Sequence, residues 1–169
     1  MDIFEALLTR RSIREYTGEA IEKEKIIEAL KYAMYAPSAH NSRSWRFILT
    51  SKKEHLIKIS EIHPYAKMLP NASWAVLFCN DLDAEPTEGY GALNVAACIE
   101  NFLLAIHGMG YGAVWIGIYP RKQRIQAIKK FFELPDNLLP IAICSVGVPA
   151  IKPTTVDRYE PEKILKIYE

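Results

Sequence analysis

The hydrophobic and polar positions along the chain predict helices and strands arranged around one long buried helix. Apolar residues occur on most sides of the helical cylinder over residues 91–112, and only Asn94, Glu100, Asn101 and His107 interrupt them. A helix that is apolar on most sides must be buried nearly all round. The polar residues break the run well short of the ~20 apolar residues that a membrane span requires. The pattern therefore predicts the central helix of a soluble core, and its small residues would also allow close contact at a subunit interface.

The remaining pattern predicts four shorter helices and four strands. Apolar residues spaced three and four apart indicate helices, and short runs rich in β-branched and aromatic residues indicate strands. The predicted helices cover 3–9, 22–34, 53–62 and 122–132, and the predicted strands cover 45–50, 74–79, 113–119 and 139–148. Asp2 is the predicted N-cap of the first helix. Because helices alternate with strands, the pattern by itself suggests a parallel α/β sheet.

Two segments are open to more than one interpretation. Gly108, Gly110 and Gly112 lack the spacing of a dinucleotide-binding loop and follow a helix instead of a strand, so a helix C-cap and turn is the favoured interpretation. The segment KILKIYE at 163–169 is compatible with an edge strand or a short helix. No P-loop, nucleophile motif or metal-ligand spacing is present.

Composition limits the possible functions. The 169 residues suit one domain, and 21 basic against 20 acidic side chains give a net charge of +1. This balance gives no electrostatic reason to expect nucleic-acid binding. Three cysteines stand singly in apolar runs, which indicates buried thiols in a reducing compartment. The amphipathic N-terminal segment lacks the pattern of a signal peptide. We therefore expect a cytoplasmic protein with small-molecule partners and no membrane association.

Three loop segments carry the candidate chemistry. Arg10, Arg11, Ser12 and Arg14 could hold a phosphate by charge-assisted hydrogen bonds, although a solvated helix end would have the same composition. The loop at 37–44 could bind a ligand or simply turn the backbone. The strand that ends in Trp115-Ile116-Gly117 could let a backbone amide approach a flat group, although a glycine in a strand more often marks a bulge.

Taken together, these segments resemble the FMN-dependent nitroreductase family. The resemblance rests on four motifs in that family's order and spacing: RRSIREY at 10–16, APSAHNSRSWRF at 36–47, GAVWIGIYP at 112–120, and VGVPA followed by DRY within 146–159. It covers nearly the whole chain as a single domain, 1–169. It implies an α+β sandwich with a mixed central sheet flanked by helices. It also implies a homodimer with FMN at the interface and the long central helix as a main dimer element.

The resemblance also implies roles for particular residues. Arg10, Ser12 and Arg158 match positions that bind the FMN phosphate, Arg11 is assigned to the same group, and Arg14 matches a basic position near the pyrimidine edge of the flavin. The loop that reaches the ring from the other subunit is matched by Pro37, Ser38, Ala39 and Asn41. Ile116 and Gly117 match the strand end near the flavin N5. The chain departs from the family pattern at Arg43-Ser44, where Gln-Pro is usual, and at Asn94 and Glu100, where Asp and Gln are frequent.

The function implied by the resemblance is NAD(P)H-dependent reduction of nitroaromatics, quinones or related acceptors. NADH or NADPH would pass hydride to the flavin N5 and an acceptor would then take its place, in a ping-pong cycle. No side chain need act as a catalytic nucleophile, since the flavin supplies the redox chemistry. Two alternatives remain open at this point. One is a non-enzymatic flavin-binding or regulatory protein, and the other is a specialised relative such as a reductive dehalogenase or a flavin-degrading enzyme.

Overall fold

The computed structural model describes residues 1–152 and 154–169. Within them, five α-helices alternate with four β-strands. In chain order these are α1 (Ile3–Thr9), α2 (Lys23–Ala33), β1 (Trp45–Thr50), α3 (Lys53–Ile62), β2 (Trp74–Asp81), α4 (Glu88–Gly108), β3 (Gly112–Gly117), α5 (Lys122–Phe132) and β4 (Leu138–Gly147). Each predicted helix and strand is present, with ends that differ from the predicted ones by four residues at most.

The four strands form one sheet in the order β1-β2-β4-β3, and every pair of neighbours is antiparallel. The parallel sheet suggested by the alternation of elements is therefore wrong. A connection long enough to contain a helix can return the chain to either end of a sheet, so alternation alone does not fix strand direction. The α+β sandwich itself is confirmed. The implied mixture of parallel and antiparallel strands is not seen within the described chain, since all three strand pairs are antiparallel. The one parallel pairing among the described residues is an isolated bridge between Ser12 and Ala113.

Helices cover both faces of the sheet, which divides the core into two clusters. On one face, α4 packs on β2 and β4 and α2 packs on α4, with Ile26, Phe78 and Phe102 among the fully buried residues. On the other face, α3 and α5 bury a second cluster that includes Ile59 and Ile128. Because both faces are covered, β4 is buried almost along its whole length instead of alternating with polar residues.

The ends of α4 show how local sequence sets the path of the chain into β3. The helix begins three residues before the predicted start and ends at Gly108. Gly110 has φ +86°, its N–H donates to the carbonyl of His107, and the Tyr111 N–H donates to the carbonyl of Ile106. This pair of bonds is a Schellman motif, in which glycine supplies the left-handed residue. The predicted C-cap and turn at these glycines is therefore confirmed.

Two further predictions can be compared with the structure. The Asp2 carboxylate accepts a hydrogen bond from the Glu5 N–H at 2.9 Å, which confirms Asp2 as the N-cap of α1. By contrast, residues 164–169 form neither an edge strand nor a helix. The only regular structure near them is a 3₁₀ turn at Pro161–Lys163, and their side chains are exposed, so no packed face selects a regular conformation.

By length and composition, α4 alone among the helices of the described chain could cross a membrane. Its 21 residues include an 18-residue stretch with a mean hydropathy of 1.4. Val95, Cys98, Ile99 and Phe102 are nevertheless fully buried in the cluster between α4, α2 and the sheet. The helix is therefore the core helix that the sequence predicts.

One glycine allows α4 to approach the sheet closely. A Cβ atom at Gly91 would lie 2.3–2.6 Å from the side-chain Nδ2, Cγ and Oδ1 atoms of Asn80 in β2. Asn80 is fully buried, and its amide donates to the carbonyl of Glu85 at 3.0 Å. The amide therefore cannot move aside without losing that bond. Gly91 sets the spacing between the N-terminal half of α4 and β2.

We expect Gly91→Ala to lower the free energy of unfolding by about 1–3 kcal/mol, the usual cost of overpacking a core. The matched control is Gly89→Ala in the first turn of the same helix, where a Cβ atom meets nothing within 4 Å. Since alanine has the higher helix propensity, this control should be neutral or stabilising by up to about 1 kcal/mol. Urea unfolding measures both variants, and equal effects would show that Gly91 is not a close-contact position.

Candidate active site

The open edge of the sheet, along β3, is the first part of the candidate site. Ile118 N–H donates to the Ile141 carbonyl of β4, and Ile13 N–H donates to the Ala113 carbonyl from outside the sheet. Backbone groups of successive residues point alternately to the two sides of a strand. The N–H and C=O groups of Ile116 therefore face β4, whereas those of Trp115 and Gly117 face the open edge. Of the two residues predicted to approach a flavin, Gly117 presents its amide there and Ile116 does not.

The basic segment that follows α1 lies at the beginning of the same edge. Ser12 forms the parallel bridge with Ala113 of β3, which aligns this segment with the strand. Arg10 is half-buried, and its Nε lies 3.2 Å from a carboxylate oxygen of Glu100 in α4. Ser12 and Arg14 are exposed. The predicted phosphate-binding segment and the predicted strand end are thus brought to one edge of the sheet.

The chain after β4 returns toward this segment. Ala150 N–H donates to the carbonyl of Glu15, and a guanidinium nitrogen of Arg11 donates to the carbonyl of Thr154. Arg11 therefore has a structural partner of its own. Arg158 lies in the exposed tail and, among the described residues, makes no ion pair with a neighbour. The Arg11–Thr154 bond brings the tail near the basic segment, but no hydrogen bond or ion pair joins Arg158 to Arg10 or Ser12 in the described chain.

The loop at 37–44 is held by a buried side chain of α4. Asn94 is 4% exposed, its Oδ1 accepts the Ala39 N–H at 2.7 Å, and its Nδ2 donates to the Ser42 hydroxyl at 3.0 Å. These bonds hold a loop in which three non-glycine residues have the positive φ angles of the left-handed region. They are His40, Asn41 and Arg43. Such conformations cost free energy and persist where surrounding contacts enforce them. Asn94, a departure from the family pattern, is therefore a loop anchor.

A second contact holds the same loop from the segment before α4. Glu85 is buried, and one of its carboxylate oxygens lies 3.4 Å from Nδ1 of His40. The Thr87 N–H donates to the other oxygen at 3.0 Å, and this bond holds the pKa of Glu85 below its usual range. The carboxylate is therefore charged at neutral pH and available to His40.

The predicted site residues fall into two groups at opposite edges of the sheet. The loop at 37–44 leads directly into β1, whereas the basic segment and Gly117 lie along β3. β2 and β4 lie between these edge strands, and three strand spacings amount to roughly 14 Å. Pro37 and Asn41 are exposed, while Ser38 and Ala39 are half-buried. One protomer therefore does not gather all the predicted residues around one point.

Two residues that the sequence did not single out contact the predicted site. Nε2 of His63, at the end of α3, and a guanidinium nitrogen of Arg124, in the first turn of α5, each lie 2.9 Å from the carbonyl oxygen of Gly117. The Arg124 guanidinium also lies 5.3 Å from the centre of the Tyr65 ring. The sequence offers no signal for this cluster, because its members lie on three separate elements.

The hydrogen bonds of His63 define its protonation state. A carbonyl oxygen only accepts, so Nε2 carries a hydrogen, and the Tyr65 N–H can only donate to Nδ1, 3.2 Å away. Burial, together with the nearby charge of Arg124, lowers the pKa of His63, even though the bond to Gly117 acts in the opposite direction. His63 is therefore a neutral imidazole at neutral pH, with both nitrogens engaged.

The cysteines are buried thiols, as the sequence predicts. Cys79, Cys98 and Cys144 are all unpaired and fully buried. Burial raises the pKa of Cys79 and of Cys98 to about 12, so neither forms a thiolate nucleophile at neutral pH. No cluster of potential metal ligands occurs in the part of the chain that the structure describes.

Comparison with known proteins identifies the family. Residues 7–148 match the family model described as "Nitroreductase family". A provisionally named NADH dehydrogenase/NAD(P)H nitroreductase of Methanothermobacter thermautotrophicus is 39% identical over 97% of this chain and 86% of its own length. The chain therefore belongs to the nitroreductase family, and the resemblance based on the four motifs is confirmed.

Solved structures agree with this assignment. A provisionally named NADH dehydrogenase/NAD(P)H nitroreductase of Bacteroides thetaiotaomicron has a TM-score of 0.91 at 36% identity and covers 96% of this chain and 95% of its own. A nitroreductase of Desulfovibrio desulfuricans in complex with FMN, also provisionally named, has a TM-score of 0.87 at 26% identity and covers 100% and 98% of the two chains. The fold is the nitroreductase fold over nearly the whole chain.

We expect Asn94→Ala to lower the free energy of unfolding by about 1–3 kcal/mol, because the half-buried Ala39 N–H loses its acceptor. Asn94→Asp should cost less, since a carboxylate can accept from both Ala39 N–H and the Ser42 hydroxyl. Asn101→Ala is the matched control on the same helix, as the Asn101 side chain makes no hydrogen bond within the described chain. Urea unfolding compares the three variants, and equal losses at residues 94 and 101 would contradict the anchoring role.

Proposed function

We propose that this protein is an FMN-dependent oxidoreductase that uses NADH or NADPH to reduce small acceptors such as nitroaromatics and quinones. Family membership supports the proposal, and so does the likeness to a structure that contains FMN. A relative from Bacillus subtilis, 25% identical over 96% of this chain, is named an NAD(P)H FMN reductase. The observation that carries the proposal in this chain is the environment of Gly117.

Gly117 is a glycine that the protomer itself does not require. Its φ is not in the left-handed region, and a Cβ atom there would have only the indole nitrogen of Trp115 within 4 Å, at 3.9 Å. Its amide also faces the open edge of β3. A missing side chain beside an unpaired amide suits the close approach of a planar group that accepts a hydrogen bond. The isoalloxazine ring of FMN is such a group, so the residues present fit the cofactor.

The phosphate of FMN would be held at the basic end of the same edge. Arg10, Ser12 and Arg158 are the proposed phosphate residues, with Arg11 beside them, because a guanidinium group binds phosphate by charge-assisted hydrogen bonds. A carboxylate oxygen of Glu100 lies 3.2 Å from the Nε atom of Arg10, and we assign the terminal nitrogens of that guanidinium to the phosphate. Arg14 is exposed on the same segment, and we assign it to the pyrimidine edge of the ring, where its charge would favour an anionic reduced flavin.

FMN, when bound, would supply two-electron redox chemistry by accepting a hydride equivalent from the nicotinamide and passing it to the acceptor in a ping-pong cycle. The role of the protein is to bind the cofactor and the substrates and to orient them. The buried cysteines cannot serve as nucleophiles at neutral pH, and the remaining site residues act through hydrogen bonds and charge. Catalysis in such a site depends on placing the two substrates in turn against one face of the ring.

We further propose that the active form is a cytoplasmic homodimer in which the loop at 37–41 completes the partner's site. The separation of the two groups of site residues within one protomer supports this. Exposed apolar side chains also line α1, which carries Ile3, Phe4, Leu7 and Leu8, and Leu93 of α4 is exposed as well. A groove of about 550 Å³ lies between α1, α2 and α4. A second copy of the chain would cover these surfaces.

The proposed activity is tested by mixing the purified protein with NADH or NADPH under anaerobic conditions in a stopped-flow spectrophotometer. We expect the protein to release FMN on denaturation, and the native holoprotein to lose its flavin absorbance on mixing. Subsequent addition of a quinone or nitroaromatic should restore the absorbance. Bound FMN that neither nicotinamide reduces would indicate a flavin carrier, and a protein that takes up no FMN would contradict the proposal altogether.

The shared site is tested by mixing two inactive variants. Arg10→Ala/Arg158→Ala damages the phosphate end, and Ser38→Pro/Asn41→Asp damages the loop. If the loop serves the partner, a heterodimer contains one site with both defects and one with neither. Refolding an equal mixture should therefore restore about a quarter of the wild-type sites, because half of the dimers are mixed.

Two controls make the mixing experiment decisive. Each variant refolded alone gives the background activity, and native mass spectrometry of differently labelled subunits measures the fraction of mixed dimers. Activity that stays at background while mixed dimers form would show that each site is built within one chain.

A further inference from the structure

We infer that His63 and Arg124 are positioning residues that together hold the Gly117 carbonyl and thereby fix the end of β3, which carries the Gly117 amide, beside the flavin ring. This inference rests on the proposed function, since it concerns the same site. It assigns a role to two side chains that lie on the opposite face of the sheet from α4, outside the basic segment and the loop at 37–44.

The geometry of the carbonyl carries the inference. His63 Nε2 and an Arg124 guanidinium nitrogen both lie 2.9 Å from the Gly117 oxygen. A carbonyl oxygen has two lone pairs, so these two donors saturate it. The donors come from α3 and α5, which pack on one face of the sheet. The end of β3 is therefore tied to the helical layer beneath it on the side of the strand that has no neighbouring strand.

Each donor is itself held in place. His63 is 1% exposed, and its other ring nitrogen accepts the Tyr65 N–H, so the imidazole cannot rotate without losing two bonds. The guanidinium of Arg124 lies over the Tyr65 ring, a geometry in which the cation is attracted to the aromatic face. The two donors and Tyr65 form one small network that fixes the orientation of the peptide group between Gly117 and Ile118.

Gly117 requires such support because the strand loses its regular pairing there. Beyond it, Ile118 N–H and Tyr119 N–H both donate to the same carbonyl, that of Ile141, so the ladder ends at this point. Glycine adopts more backbone conformations than any other residue. The missing side chain that leaves room for a ring would therefore also leave the end of the strand free to change conformation. The donors from His63 and Arg124 restrict the peptide group between Gly117 and Ile118, and neither side chain lies within 4 Å of the position that a Cβ atom of residue 117 would take.

The test compares Arg124→Met and His63→Phe with the wild-type protein. Each variant removes one donor and keeps much of the side-chain volume. We expect the dissociation constant of FMN to rise by about tenfold in Arg124→Met, and that of riboflavin to rise by the same factor, because the ring and not the phosphate is affected. The visible absorption maxima of bound FMN should also shift toward those of free FMN. Arg124→Lys keeps a donor and should recover most of the affinity.

Arg121→Met is the matched control. Arg121 is exposed, lies one turn earlier in the same helical segment, and makes no ion pair or side-chain hydrogen bond within the described chain. Its loss removes the same charge without removing a bond to Gly117, so FMN affinity should change less than twofold. An equal effect of Arg121→Met and Arg124→Met would show that general electrostatics, and not positioning, is responsible.

A measurement without FMN separates failure of this inference from failure of the proposed function. In the FMN-free protein, the ¹⁵N order parameter of the Ile118 amide, which belongs to the same peptide group as the Gly117 carbonyl, should be near the value of about 0.85 found in rigid backbone. It should fall toward about 0.6 in the double variant His63→Phe/Arg124→Met. An unchanged order parameter would overturn the positioning role whether or not the protein binds FMN. A wild-type protein that binds no FMN, with the order parameter still responding, would contradict only the proposed function.

Discussion

Burial of α4 against the sheet is the interaction on which the other parts of this structure depend. Its apolar side chains fill the space between α2 and the central strands, and Gly91 lets the helix approach β2 closely. With the helix fixed there, Asn94 can reach the loop at 37–44 and Glu100 can reach Arg10. The Schellman turn at its C-terminus then directs the chain into β3. A single packed helix thus sets the positions of both predicted groups of site residues.

The fold could be predicted from the sequence to the extent that its signals are local. Helix and strand positions follow from hydrophobic periodicity, and the N-cap Asp2 and the turn at Gly110 follow from the preferences of single residues. The four motifs identified the family because they lie in one order along nearly the whole chain. The direction of the strands could not be derived in this way, because it depends on where each connecting segment returns, and no short stretch of sequence encodes that.

Details of the site that depend on contacts between distant residues could not be predicted from the sequence either. Asn94 was recognised only as a departure from the family pattern, and its role as a loop anchor became visible once α4 and the loop were in place. The contact of His63 with Gly117 joins residues 54 positions apart, and Arg124 reaches the same carbonyl from the next helix. The mere presence of a histidine after α3 does not predict which carbonyl it will reach. The orientation of the Ile116 and Gly117 amides likewise required the register between β3 and β4.

The open edge of β3 also matters before any cofactor reaches the protein. An edge strand with unpaired N–H and C=O groups can template pairing with a strand from another chain. Ile13 already takes the Ala113 carbonyl, and His63 with Arg124 takes the Gly117 carbonyl, so the exposed row is interrupted at both ends. Among the described residues, no hydrogen bond is made to the Trp115 carbonyl, which lies between these two ends. In a newly synthesised chain, the same contacts that shape the site would thus limit edge-to-edge aggregation until the site is filled.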